Sequence, residues 1–380
     1  MSGNTVLITG GAGFIGSHLA LKLISKGYIV TVLDNLSPQI HGQQPDEESP
    51  LYISIRDKVR FIRGTVTSKD DLREAIKGQE IIVHLAAETG TGQSMYEVEH
   101  YTDVNIGGTA KLLDLLAKEK HCVRRIVVAS SRAVYGEGRY SSIEKGFVYP
   151  LQRTDEYMRK GDFEVKVDGC QQPLTLVGTD EESKIHPTSV YGITKQVQEE
   201  MVMTVCPVLD IVPVAFRFQN VYGPGQSLSN PYTGILSIFS TRIANANNVI
   251  IFEDGRESRD FVFIEDVVDA TIVGIESDRA NNEVFNVGEG VPTAVLTVGK
   301  TLIEKFESGV EIIVSGSYRL GDIRHNYADL TKIRSRLNFS PKWTFDRGIS
   351  EFVAWVKNQK IQSDKYEESI SEMALRGIYK

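Results

Sequence analysis

Tyr191 and Lys195 stand four residues apart in the run Tyr191–Gly192–Ile193–Thr194–Lys195. On a helix this spacing puts a phenol and an ammonium on one face. A nearby cation favours the phenolate, and moving a tyrosine pKa from about 10 to about 7 needs roughly 4 kcal/mol of differential stabilisation, which one or two charges in a partly desolvated site provide. Tyr191 would then take the proton of a substrate hydroxyl, with Ser131 hydrogen-bonded to the same oxygen. A second chemical signal lies upstream, in Gly10, Gly11, Ala12, Gly13, Phe14, Ile15 and Gly16. Glycines let a backbone approach a pyrophosphate closely, and the free N–H groups of a helix start attract its charge.

The elements around these residues are those that such chemistry needs. Thr5–Val6–Leu7–Ile8 reads as a short strand, and Phe14, Ile15, Leu19 and Leu23 recur at helical spacing beyond the glycines, giving strand, turn and helix. Dinucleotide contacts are expected from Gly10, Gly13, Phe14, Ile15 and Gly16. A second apolar run, Tyr28 to Leu33, ends in Asp34, about twenty residues beyond the motif, where a carboxylate accepts from adenosine ribose hydroxyls. The expected cofactor is NAD, because Asp34 repels a 2′-phosphate and Asn35–Leu36–Ser37 offers no arginine to bind one.

Further along, Val59–Arg63, Ile81–Ala86 and Arg125–Ser130 read as buried strands, with helices at Lys69–Lys77 and Val104–Lys118. This alternation predicts an α/β fold with a Rossmann-type, doubly wound parallel sheet and the cofactor across the carboxyl ends of its strands. Thr65 and Val66, then Leu85, Ala86 and Ala87, then Ser130 and Ser131 fall at those ends. His84, inside a strand, is read as a packed core histidine. Val262–Ile275 reads as a strand end entering a helix, and Glu283–Val287 as another strand. The tail from Gln362 to Lys380 is either a docked terminal helix or partly mobile.

With 380 residues, 41% of them apolar, the chain can bury a large core in one domain or two closely packed lobes. No run reaches membrane-spanning length, and the first strand begins at Thr5, which leaves no room for a signal peptide. Cys122, Cys170 and Cys206 are widely spaced and form no metal-ligand cluster; a cytoplasmic protein without metal is expected. A net charge of −8 argues against nucleic-acid binding.

The chain resembles an extended short-chain dehydrogenase/reductase of the nucleotide-sugar epimerase and dehydratase group. The matching segments run in collinear order: Gly10–Gly16, Asp34–Asn35–Leu36, His84–Leu85–Ala86–Ala87, Asn105, Ser130–Ser131 through Val134–Tyr135–Gly136, Tyr191–Lys195, Arg217 through Gly225, Arg259–Asp260–Phe261, and Arg319 through Asp322. The resemblance implies an NAD-binding domain over residues 1–215, with Asn35 and Asn105 among the cofactor contacts. Residues 216–380 would mainly form a smaller lobe for a nucleoside diphosphate sugar, some segments returning to the first domain, and a homodimer would form through paired helices. Ser131, Arg132 and Asn220 are expected at the sugar, Phe252 against the base, Arg259 and Arg319 on the diphosphate and Asp322 on a ribose hydroxyl.

In the family's 4,6-dehydratases an acidic pair follows the catalytic threonine, and its decarboxylases place a glutamate in the second position. Here those places hold Arg132 and Ala133. Its 3,5-epimerases use a cysteine in this loop and a lysine after the Asn-x-Tyr-Gly segment, where this chain has Gln226–Ser227–Leu228–Ser229–Asn230. What remains is oxidation of C4, turning of the keto sugar and reduction from the other side. The stretches Phe216–Tyr232, which includes Pro231, and Gly321–Tyr327 resemble one branch in particular, the dTDP-L-rhamnose 4-epimerases that form dTDP-6-deoxy-L-talose. Between Ser131 and Tyr191 lies an insertion, about 137–186, with turn signals at Gly146, Pro150, Gly161, Gly169, Pro173 and Gly178. It reads as a substrate-capping lid or as a surface decoration. Val167 and Cys170 stand where some relatives carry a Cys-x-x-Cys knuckle, so no zinc is expected.

Overall fold

Parallel strands need long crossovers, and the helical runs between the apolar segments supply them. The computed structural model describes residues 4–230, 232 and 234–380, so Pro231 of the matching stretch lies outside them. Five strands come first: β1 (Thr5–Thr9), β2 (Ile29–Asp34), β3 (Arg60–Arg63), β4 (Ile81–His84) and β5 (Arg125–Ser131). After the insertion strands β6 (Tyr140–Ser142), β7 (Gly146–Val148) and β8 (Thr175–Leu176) comes β9 (Val212–Phe218). Next follow β10 (Asn220–Tyr222), β11 (Val249–Ile251), β12 (Ser258–Phe263) and β13 (Glu283–Val287).

The large sheet has seven strands in the order β13-β9-β5-β4-β1-β2-β3, every neighbouring pair parallel. Both faces are covered, which is why its inner strands are almost wholly apolar. Val6 and Ile8 of β1 point into one core with Val127 and Phe216, while Leu7 points into the other with Ile82, Ile126 and Val128. The winding reverses between β1 and β4. A crevice therefore opens at their carboxyl ends, where Gly10 and the loop from Leu85 begin. Strand β4 stops at His84, short of the expected Ala86, and β5 runs one residue further than expected, to Ser131. The helix expected at Val104 starts earlier, with a turn at Val98–Tyr101 and a wide π-type turn at Thr102–Gly107 before Gly108–Lys118.

A second layer carries β10, β12 and β14 (Pro292–Ala294), with β15 (Ile312–Val314) beside β11 and β16 (His325–Asn326) beside β12. Strand β13 leaves this layer to edge the large sheet. The insertion folds as an antiparallel β7-β6-β8 sheet around Tyr140, Val148 and Val165. Buried charge fastens it to the second layer: Arg153 grips Glu253 through two bonds of 2.8 Å, and Arg324 bonds Glu253 at 2.9 Å and Glu164 at 2.7 Å. The tail docks as a helix, Tyr366–Leu375. Beyond it, backbone bonds of 2.9 to 3.0 Å pair Ile378 and Lys380 with Leu320 and Tyr318.

The long helix Val190–Val208 lies against β5 and β9, and its buried face is largely polar: Thr194, Lys195, Gln198 and Glu199 precede Val202 and Cys206. Glu199 is held by Arg217 of β9 through bonds of 3.0 and 2.5 Å. Arg217→Met would leave that carboxylate buried without a cation, and should lower the unfolding free energy in urea by about 3–5 kcal/mol. Glu199→Leu added to it should recover at least half of the loss. A double variant no more stable than the single one would remove unpaired charge as the cause.

Candidate active site

The glycine loop is built by contact as well as by conformation. Gly10 has φ +68°, and a Cβ there would lie 2.8 Å from the Cα of Ala86; at Gly16 it would lie 2.5 Å from the Cα of Gly11. The first helix, Phe14–Ser25, starts at Gly13 without a side-chain cap, so its leading N–H groups face the cleft as an anion site. Gly10, Gly13, Phe14, Ile15 and Gly16 all border that cleft, as do Asp34 and Asn35 after β2, Thr65 and Val66 after β3, and Leu85, Ala86 and Ala87 after β4. Asp34 accepts from the N–H groups of Ala12 and Leu36, each at 2.9 Å, which fixes its carboxylate at the crevice edge. A bound dinucleotide fits this cradle: backbone room at the glycines, N–H groups for a pyrophosphate and a carboxylate for ribose.

Asn105 is the exception and does not border the cleft. It is fully buried, with its oxygen on Glu88 N–H at 2.7 Å and its nitrogen on Glu88 C=O and Thr194 Oγ1 at 3.1 and 2.9 Å. With its amide engaged on three sides, Asn105 braces the Glu88 loop against the helix that carries Tyr191 and Lys195.

Ser131, Arg132, Tyr191 and Lys195 meet in the same cleft. Ser131 ends β5 and accepts the Ala133 N–H at 3.2 Å, starting the tight turn Arg132–Tyr135. Ser189 caps the catalytic helix through Gly192 N–H at 3.1 Å, and Ser94 accepts the Tyr191 N–H at 3.0 Å. Together they fix where the phenol emerges. Its electrostatics differ from the expectation: burial raises the Tyr191 pKa, and the Ser131 hydroxyl and the Arg132 charge pull it back only in part. Lys195 is turned toward Gln198, with Nζ 2.9 Å from Oε1. The cation that acts on the phenol here is Arg132. Burial pushes the Lys195 ammonium from its ordinary 10.5 to about 7, against the pull of Glu199, and brings Arg132 down to about 10, with Arg259 nearby adding to the effect.

The residues expected on the substrate border the other half of the cleft and pair among themselves. Arg132 Nε donates to Asn220 Oδ1 at 2.9 Å. Arg319 is 2.8 Å from Asp322 and lies over the Phe252 ring at 5.3 Å. Arg259 donates to the carbonyls of Ser258, Ile323 and Arg324 at 2.7 to 2.9 Å. The cleft encloses about 1790 Å³, more than the roughly 300–1,000 Å³ of an ordinary small-molecule site, so it can hold two extended ligands end to end.

Several bordering residues escaped the sequence reading. Tyr366, Ser369 and Met373 of the terminal helix cover part of the opening, and Glu253 and Glu257 stand near Phe252. In the sequence, Ile370, Met373, Leu375 and Ile378 carry the apolar pattern of that tail. The insertion, by contrast, supplies no described residue to the cleft wall. It props the Glu253 and Asp322 segments from behind through Arg153, which also donates to the Asp322 carbonyl at 2.9 Å.

The lowered Lys195 pKa has a signed consequence for stability. Between about pH 7 and 10.5 the unfolded chain keeps a proton on Lys195 that the folded chain has released, so the stability of the parent relative to Lys195→Met rises with pH across that window. Thermal melts of dinucleotide-free protein at about pH 7 and about pH 9.5 should show the gap widening in favour of the parent. A constant or shrinking gap would show that the ammonium keeps its ordinary pKa.

Comparison with known proteins agrees with this geometry. Residues 6–160 and 167–288 match the model of the NAD dependent epimerase/dehydratase family. A dTDP-L-rhamnose 4-epimerase of Burkholderia thailandensis is 36% identical over 94% of this chain and 96% of its own. A putative UDP-glucose 4-epimerase of Methanocaldococcus jannaschii is 30% identical over 93% and 98%. Among solved structures, UDP-glucose 4-epimerase of Thermotoga maritima with UDP-glucose superposes with a TM-score of 0.73 at 28% identity, covering 93% of this chain and 98% of that one. With most of its length matched in this way, the chain is an enzyme that belongs to the NAD dependent epimerase/dehydratase family.

Proposed function

We propose that this chain is a nucleotide-sugar 4-epimerase that inverts C4 through a transient ketone, with dTDP-L-rhamnose and dTDP-6-deoxy-L-talose as its substrate pair. Bound NAD supplies the hydride acceptor and returns the hydride. The glycine loop, the start of the first helix and Asp34 hold it. Tyr191 takes the proton of the C4 hydroxyl, Ser131 hydrogen-bonds that oxygen, and Tyr191 returns the proton when the ketone is reduced. Arg132 supplies the positive charge that favours the phenolate, and Lys195, one turn along the helix, stands beside the nicotinamide ribose. Arg259 and Arg319 face the diphosphate, Phe252 the base, and Asp322 a ribose hydroxyl.

The observation that carries the reaction type is the pair after Ser131. The charge from that turn that acts on the phenol is the Arg132 guanidinium, and Ala133 beside it has no acid/base group, so a dehydratase or decarboxylase route lacks its carboxylate there. The substrate rests on the 36% relative and on the long stretch around Asn220. The exposed apolar side chains Val98 and Ile193, on helices that pack together, support a homodimer. Free thiols at Cys122, Cys170 and Cys206 support a reducing, cytoplasmic setting.

Tyr191→Phe should lower turnover by the 10²–10⁴-fold typical of a lost general base while nucleotide-sugar affinity changes little; retention of more than about a tenth of the rate would remove the phenol from that role. Reaction in deuterium oxide should leave protium at C4 and at C3 and C5, since the C4 hydrogen never exchanges with solvent. NMR of the product decides this. Deuterium at C3 or C5 would sink the mechanism, whereas turnover of UDP-glucose with none of dTDP-L-rhamnose would replace the substrate and keep the mechanism.

A further inference from the structure

Lys195 borders the cleft, yet behind it lies a dry polar chain. Gln198, Thr109, His84 and Thr9 are each no more than 1% exposed, a depth at which polar atoms need partners. Lys195 Nζ meets Gln198 Oε1 at 2.9 Å, and Gln198 Nε2 meets Thr109 Oγ1 at 2.9 Å. His84 Nε2 meets the same Thr109 oxygen at 2.9 Å, and His84 Nδ1 meets Thr9 Oγ1 at 2.7 Å.

The two ends of this chain fix its direction. An ammonium only donates, so Gln198 must turn its oxygen to Lys195 and its nitrogen to Thr109. Thr109 commits its single proton to the Asn105 carbonyl at 2.6 Å, so its oxygen accepts from both Gln198 and His84. His84 therefore carries its proton on Nε2, and Nδ1 accepts from Thr9, whose oxygen in turn accepts the Ala86 N–H at 3.3 Å. A neutral ring agrees with its pKa, held down to about 3 by burial and then by the Lys195 charge. Thr9 and Ala86 lie at the carboxyl ends of β1 and β4, so the chain links the crevice floor to the lysine.

We infer that Gln198 is the positioning residue of Lys195: held by Thr109, to whose oxygen His84 also donates, its carboxamide oxygen takes one N–H of the ammonium and leaves the other two for the cleft. This deepens the activity proposed above, since it concerns the same lysine. The titratable groups that interact with Lys195 are His84 from β4 and Glu199 from its own helix; Thr109 and Asn105, from the neighbouring helical turns, are uncharged. Loss of the acceptor leaves the buried ammonium less compensated, and a carboxylate in its place compensates it more.

Gln198→Met keeps the side-chain length and removes the acceptor, while Gln198→Glu keeps the acceptor and adds charge. In NAD-loaded protein, carbon NMR of the Lys195 ε-methylene should show the titration midpoint about one unit lower in Gln198→Met and about one unit higher in Gln198→Glu. kcat near neutral pH should fall about tenfold in Gln198→Met, with KM within about twofold, and Gln198→Glu should restore most of it. Long-range proton–nitrogen correlation on the parent holoenzyme should place the His84 proton on Nε2. A proton on Nδ1, or midpoints that move in the same direction in both variants, would overturn the proposal. Both NMR readings need no turnover, so failure of the parent to epimerise C4 would sink the activity and leave this test intact.

Discussion

One buried ion pair sets the geometry on which the site depends. Glu199 and Arg217 are both almost fully enclosed, and charges at that depth persist only when paired and fully hydrogen-bonded. The pair fixes the rotation of the catalytic helix on β9, and with it the direction in which Tyr191 and Lys195 point. The same guanidinium reaches Tyr135 Oη at 2.7 Å and the Glu181 carbonyl at 3.0 Å. Tyr135 closes the turn that begins at Ser131, and its hydroxyl donates to Asn286 of β13 at 2.9 Å. One cation thus registers the serine turn, the tyrosine helix and the return point of the insertion against each other. Burial raises the Tyr135 pKa and so keeps its hydroxyl protonated as the donor this arrangement requires.

Much of the large sheet can be read from sequence because a buried parallel strand is a run of apolar residues with few alternatives. Glu283–Val287 appears in the structure with those bounds, and β1, β2, β3 and β5 begin or end within a residue of the reading. Ligand contacts at strand ends follow from the same logic, since the winding direction decides which end opens. Asn105 shows the limit. Its place in the pattern suggested a cofactor contact, but whether an amide faces a cleft or a loop depends on partners such as Glu88 and Thr194, which spacing along the chain does not reveal.

Partners from distant elements also explain the two electrostatic differences. His84 is buried, as a core histidine should be, yet both ring nitrogens are hydrogen-bonded, to residues of β1 and of the helix after Asn105. The Tyr191 pKa moves upward because desolvation outweighs its two favourable neighbours, a balance that sequence leaves undetermined. The insertion follows the same principle. Its place between Ser131 and Tyr191 suggests a lid and its polar composition a surface decoration, but Arg153 and Glu137 are buried with partners, and the segment buttresses the Glu253 and Asp322 segments.

The return of residues 378–380 to pair with Tyr318–Leu320 gives the enzyme an order of birth. Residues 4–218 already contain six of the seven strands of the large sheet, together with the glycine loop, Asp34, Ser131, Tyr191 and Lys195. At roughly 5–20 residues per second, translation needs about ten to thirty seconds more to deliver residue 380. During that interval every strand and loop of the dinucleotide cradle is present on a nascent chain whose cleft still lacks the terminal helix. The wall of the cleft beside the glycine loop is therefore synthesised whole before the part that carries the terminal helix.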